Sequence, residues 1–156
     1  MDTSTSFLET EKMVLEILKI SEKYKETPAQ FIDVVEKLQV SRKEKEELFL
    51  FLGIMFENQS NLRLALVCLE HGLTYLEEGD TKKLSACYMY LGLINHDLKN
   101  YNKAAEYYEK AEKIFAEIGQ TDALKILYKN MRETYKKMKS PEKAEEYKRK
   151  AEEILT

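Results

Sequence analysis

Apolar residues recur along this chain at intervals of three and four, and no stretch alternates with period two for long. The pattern predicts helices nearly throughout. Start and stop residues divide it into about eight. The first runs from near Ser6 to Lys25. Thr27 and Pro28 offer an N-cap and first-turn pair for the second, which ends near Val40. Ser41 with Glu44 has the form of a capping box opening the third, which reaches Asn58. Asn61 opens the fourth and Gly79 closes it, Asp80 caps the fifth, and Lys99 ends it. Asn100 starts the sixth and Gly119 terminates it, Thr121 caps the seventh, and Ser140 with Pro141 opens the eighth. Connections this short predict antiparallel hairpins, so the expected fold is all-α, with the helices taken in four pairs.

A repeat runs through the pairs. Phe49, Leu52, Gly53 and Phe56 of helix three share their spacing with Tyr88, Leu91, Gly92 and Asn95, 39 positions on in helix five. Leu62, Ala65, Leu69 and Gly72 return 39 positions later as Tyr101, Ala104, Tyr108 and Ala111. A third copy, 40 positions further, gives Tyr128, Met131, Arg132 and Tyr135, then Pro141, Ala144, Lys148 and Ala151. Small residues at these places let two helices approach closely while aromatics fill the space beside them.

The pattern resembles the tetratricopeptide repeat family. Phe49-Leu50-Phe51-Leu52-Gly53 and Tyr88-Met89-Tyr90-Leu91-Gly92 stand in for its first-helix motif. The run from Tyr101 through Ala104 and Tyr108 to Ala111 stands in for the second. The resemblance covers about residues 46–156, and a period of 39 to 40 marks a longer-helix variant. It implies a right-handed superhelix of helical hairpins. Residues 1–45 lack the motif and are expected to form an irregular helical pair at the front. Arg132 and Lys148 replace small and apolar residues, so the last hairpin is expected to act as a solvated C-terminal cap.

In this family the first helices of the hairpins line a concave face where a partner's peptide or helix lies. The resemblance therefore places a partner-binding groove at Leu50, Phe51, Ile54, Met89, Tyr90, Leu93, His96, Lys129, Asn130, Lys136 and Lys137, with Ile126 alongside. Helices three and five are apolar on two faces, so something must cover the second one. Three occupants stand open: a hydrophobic peptide or helix of a partner, the chain's own first helix as a plug, and a second copy in a homo-oligomer. Some members of the family hold a C-terminal carboxylate with Lys, Asn and Arg. Leu50, Phe51, Ile54, Ala86 and Tyr90 occupy the matching places here and cannot do so. A small secretion-type chaperone of the same repeat class is a further reading.

Charge narrows the alternatives only slightly. The 156 residues carry 25 Lys and Arg against 28 Asp and Glu, a net charge of −3, which argues against general polyanion binding. Residues 121–156 hold ten basic and seven acidic groups, so the groove is expected to be basic at its C-terminal end. Nucleic acid is disfavoured because Glu142, Glu145, Glu146, Glu152 and Glu153 interleave with those cations. Glu9, Glu11, Lys12, Glu16 and Lys19 interrupt the first helix, which excludes a signal peptide or membrane span there. Cys68 and Cys87 fall in apolar helical stretches, as reduced buried thiols do, and a cytoplasmic protein is expected. His71 and His96 lie on different helices, with no phosphate loop, nucleophile motif or zinc spacing. No catalytic residue, metal or cofactor is expected, and the chain is read as a non-enzymatic interaction module.

Overall fold

The computed structural model describes residues 3–76 and 79–154, with residues 3–10 described by backbone alone. The helices are α1 (Thr3–Ser21), α2 (Pro28–Glu36), α3 (Arg42–Asn58), α4 (Leu62–Leu73), α5 (Thr81–Asp97), α6 (Tyr101–Glu117), α7 (Thr121–Lys137) and α8 (Pro141–Glu153). A 3-10 turn follows α1 at Glu22–Tyr24. The described residues contain no strand.

The capping box opening α3 forms: the Glu44 amide donates to the Ser41 hydroxyl at 3.2 Å, and the Ser41 amide to the Glu44 carboxylate at 2.8 Å. The other expected caps do not. Thr27, Asn61, Asp80, Asn100 and Ser140 precede their helices without a side-chain capping bond. Gln120, not Thr121, precedes α7. The cause is local geometry. Ser41 is extended at ψ 162° and its hydroxyl reaches the first turn, whereas Asn61, Asp80 and Asn100 have ψ of 68°, 55° and 61°.

Three helices stop short of their expected ends, at Ser21, Glu36 and Leu73. At Ser21 the hydroxyl donates to the Leu18 carbonyl at 2.7 Å, a local bond that competes with continuing the helix. After Leu73 the backbone tightens, with the Thr74 amide bonded to the His71 carbonyl and the Tyr75 amide to that of Gly72.

The turns inside the hairpins share one device. Ser60, Lys99 and Lys139 adopt positive φ of 59°, 64° and 57°. The next amide then reaches back five residues: Asn61 to the Phe56 carbonyl, Asn100 to Asn95 and Ser140 to Tyr135, at 2.8 to 2.9 Å. Identical turns give the hairpins a common angle, and this makes stacking possible.

α3 pairs with α4, α5 with α6 and α7 with α8, and the hairpins stack through α4 with α5 and α6 with α7. Close approach explains two glycines. A Cβ on Gly53 would sit 2.4 Å from Leu69 Cγ, and one on Gly92 would sit 2.4 Å from the Tyr108 ring. Two cores result. One is built of Ile17, Phe31, Val35, Phe49, Leu52, Phe56, Leu64, Leu69, Leu91 and Ile94, and the other of Ala104, Tyr108, Ala111, Leu127, Met131, Tyr135 and Tyr147.

Candidate interaction groove

The first helices of the three regular hairpins, α3, α5 and α7, lie side by side. Polar contacts stitch them one period apart. Lys83 Nζ at the start of α5 donates to the Glu46 carboxylate of α3 at 2.6 Å. His96 Nδ1 near the end of α5 lies 2.8 Å from the Thr134 hydroxyl of α7. That hydroxyl donates its own hydrogen to the Asn130 carbonyl at 2.9 Å, so His96 must be the donor through Nδ1. The Tyr101 ring meets the imidazole edge-on at 5.3 Å.

The apolar positions expected in the groove divide into two sorts. Leu50, Ile54 and Tyr90 are half-buried against the first core, and Met89 is half-buried against the second. Leu50 also leans across α4, with Cδ2 2.9 Å from where a Cβ on Gly72 would be. Phe51 is 50% exposed and Ile126 is 53% exposed. Leu93 is half-buried and belongs to neither core. Phe51, Leu93 and Ile126, one on each helix, are therefore the apolar groups available to a ligand.

α7 supplies the charge. Lys129, Lys136 and Lys137 are exposed and Asn130 is half-buried. Lys136 donates to Glu133 at 2.8 Å, a bond that holds the Glu133 carboxyl below the usual carboxylate range. Opposite sign gathers at the ends of α3 and α5, where burial and the nearby Asp97 charge push the Glu57 carboxyl up. Helix C-termini disfavour anions, so Glu57 and Asp97 are poorly placed and Lys136 and Lys137 well placed.

α1 packs on the same core as Leu50, Ile54 and Tyr90. Ile17 is buried, with Met13, Val14 and Leu18 packed against the first core, yet Phe51 stays half exposed with α1 in place. Burial pushes both thiols, Cys68 and Cys87, up to about 12, so neither is a nucleophile at neutral pH. Among the described residues no three His, Cys, Asp or Glu side chains gather as metal ligands. No described helix is long and apolar enough to cross a membrane.

Sequence reasoning missed a second row, along the other helix of each hairpin. Glu36 of α2 accepts from the Tyr75 hydroxyl and His71 Nε2 at the end of α4 and from Lys45 Nζ at 3.0 Å. Glu70 of α4 accepts from Tyr107 of α6 at 3.5 Å, and Glu112 of α6 from Tyr147 of α8 at 3.2 Å. Partial burial pushes the Glu36 carboxyl up, but the Tyr75, His71 and Lys45 bonds outweigh it and hold it at about 2. α2 thus joins the row that α4, α6 and α8 continue. The signal was present as Glu and Tyr separated by 39, 37 and 35 residues.

Residues 84–156 match the sequence model of a family described as "Tetratricopeptide repeat". The fold resembles two solved structures. One, titled "Crystal structure of MamA", aligns at TM-score 0.64 and 20% identity, covering 97% of this chain and 84% of that one. The other, "Crystal structure of MamA protein", aligns at TM-score 0.60 and 22% identity over 90% of this chain and 72% of that one. A comparison with curated proteins gives no match.

Proposed function

We propose, from the premise that residues 84–156 are tetratricopeptide repeats within a chain of the same stacked-hairpin fold, that the α3–α5–α7 face captures an apolar segment of a partner protein. The repeat family and the fold support a protein-interaction module, and members of this family are in general non-catalytic. The groove reading adds a ligand class. Its apolar side chains rest on Phe51, Leu93 and Ile126, and its acidic groups meet Lys129 and Lys137.

The observation that carries this reading is Phe51 and Ile126, each about half exposed on helices that otherwise bury their large apolar groups. Lys129 and Lys137 support it, since neither has an ion pair among the described residues. Exposed charges of this kind contribute on-rate and orientation more than affinity. A hydrophobic helix or an extended strand both fit the chemistry.

Crosslinked capture from the native host with wild type and with Phe51→Asp/Ile126→Asp tests the assignment. Both positions lie outside the two cores, so the double variant is expected to fold with unchanged circular dichroism. Loss of a specific prey in a folded variant supports the groove. Retention of every prey would place the interaction elsewhere.

A further inference from the structure

The outer face of α1 sets an exposed apolar side chain among charges. Leu15 is 56% exposed, the most exposed large apolar side chain described, and at 100° per residue it lies on the side of α1 opposite the buried Ile17. Glu11, Lys12, Glu16 and Lys19 surround it, all exposed. Among the described residues none of the four has an ion pair, although Lys12 with Glu16 and Glu16 with Lys19 have the spacing for one. Elsewhere some such spacings are used, as in Glu22 with Lys25, Asp80 with Lys83, Glu133 with Lys136, Glu145 with Lys148, and Glu146 with Lys150, while others, such as Glu106 with Lys110, are not. On this face the described part of α1 therefore presents Leu15 among four unpaired charges, with Ile20, 40% exposed, further round the helix.

The pattern has a symmetry that selects an occupant. Glu11 and Lys19 lie four residues before and after Leu15, about 40° to either side of it on the helix. When two such helices meet antiparallel about a two-fold axis at Leu15, residue 15−n faces residue 15+n of the other copy. Leu15 then packs on Leu15, and Glu11 of each copy faces Lys19 of the other, giving two equivalent ion pairs. Lys12 falls opposite the half-buried Leu18, where its aliphatic stem can lie. A parallel arrangement would set Glu11 against Glu11 and Lys19 against Lys19.

We infer that the outer face of α1 is a self-pairing surface on which a second copy of this chain docks antiparallel, through Leu15 and reciprocal Glu11–Lys19 pairs. One exposed helix face is a small interface, so the dimer is weak and reversible. The groove on α3, α5 and α7 takes no part, so a dimer carries two grooves and binds a repeated ligand with avidity.

Sedimentation equilibrium of the full chain across two decades of concentration tests this. Wild type is expected to pass from monomer to dimer and stop there, because an isologous contact closes. Glu11→Lys and Lys19→Glu alone each place like charges in contact and are expected to weaken dimerisation about tenfold. The double swap Glu11→Lys/Lys19→Glu restores opposite charges and is expected to recover the wild-type constant to within about threefold. Leu15→Glu abolishes the dimer and, being exposed, leaves the melting temperature unchanged. A wild type that stays monomeric throughout would overturn the inference. So would a dimer indifferent to the single charge reversals, or one lost in Phe51→Asp/Ile126→Asp and kept in Glu11→Lys, which would move the contact to the groove.

Discussion

The two cores build one architecture from different chemistry. From α1 to α5 the buried apolar groups are mainly Phe, Leu, Ile and Val, joined by Ala65, Cys68 and Cys87, and they close largely by shape. From α6 to α8 they are mainly Ala and Tyr, and Tyr135 and Tyr147 direct their hydroxyls to carboxylates. There Tyr135 donates to Glu109 at 2.8 Å and stacks on Tyr147 with planes 3° apart. In the aliphatic half the Glu36 node ties α2 to the α3–α4 hairpin, and the buried Glu46 ties α3 to Lys83 of α5. The difference teaches that the period and the turn device set the fold, while the filling is free to vary. The segment that matches the tetratricopeptide repeat model, residues 84–156, includes all of the Ala and Tyr filling.

The largest expected effect falls on the aliphatic core. Phe56 is 1% exposed and its ring meets Phe31 edge-on at 5.6 Å, so Phe56→Ala should cost about 3–5 kcal/mol in urea unfolding. A cost near 1 kcal/mol would mean this half repacks, against the claim that it closes by shape. Next is Gly92→Ala, which drives a methyl group into the rigid Tyr108 ring. A loss of about 1–3 kcal/mol is expected, because helix propensity recovers only part of the clash.

Glu36 separates the halves by pH. Its carboxyl ionises at about 2 in the folded chain against an ordinary 4.5, so the folded state binds that proton more weakly than the unfolded state does. The stabilisation is complete above about 4.5 and disappears as pH falls through about 2. Its worth is on the order of 2 kcal/mol, allowing for screening at a partly exposed site. Glu36→Gln should lower the melting temperature at pH 7 and reduce the fall in stability between pH 5 and pH 2. Equal acid sensitivity in both proteins would remove the node from the account. On the tyrosine side, Tyr135→Phe loses one hydroxyl bond at the rim and is expected to cost about 1 kcal/mol, read by thermal melting. Smallest is Lys139→Gly. It relieves a positive φ of 57° and should gain up to about 1 kcal/mol by the same measurement.

Much of the fold was legible because periodicity and small residues report directly on close helix packing. Gly53 and Gly92 meet neighbours at distances no larger side chain would allow, and Ala111 is fully buried. Helix ends were less legible, since Ser21 and Thr74 end helices through their own side-chain bonds to carbonyls, which composition does not reveal. The turn residues Ser60, Lys99 and Lys139 were unreadable, as none is the glycine that a positive φ favours. In the groove, the apolar face could be traced to helices from the repeat. Which of its residues stay available could not, because Leu50 and Phe51 are neighbours in sequence with different surroundings. The Glu–Tyr row was hidden because polar pairs a period apart resemble ordinary surface composition.

The most direct test of the groove is site-specific photocrosslinking. A photoreactive phenylalanine analogue replaces Phe51 on the groove in one protein and the exposed Lys113 of α6 in another. The account predicts a discrete adduct with a partner from position 51, competed away by excess unlabelled wild type but not by Phe51→Asp/Ile126→Asp, and no such adduct from position 113. An adduct from position 113 with none from position 51 would contradict it and move the interaction surface to the opposite helices of the hairpins.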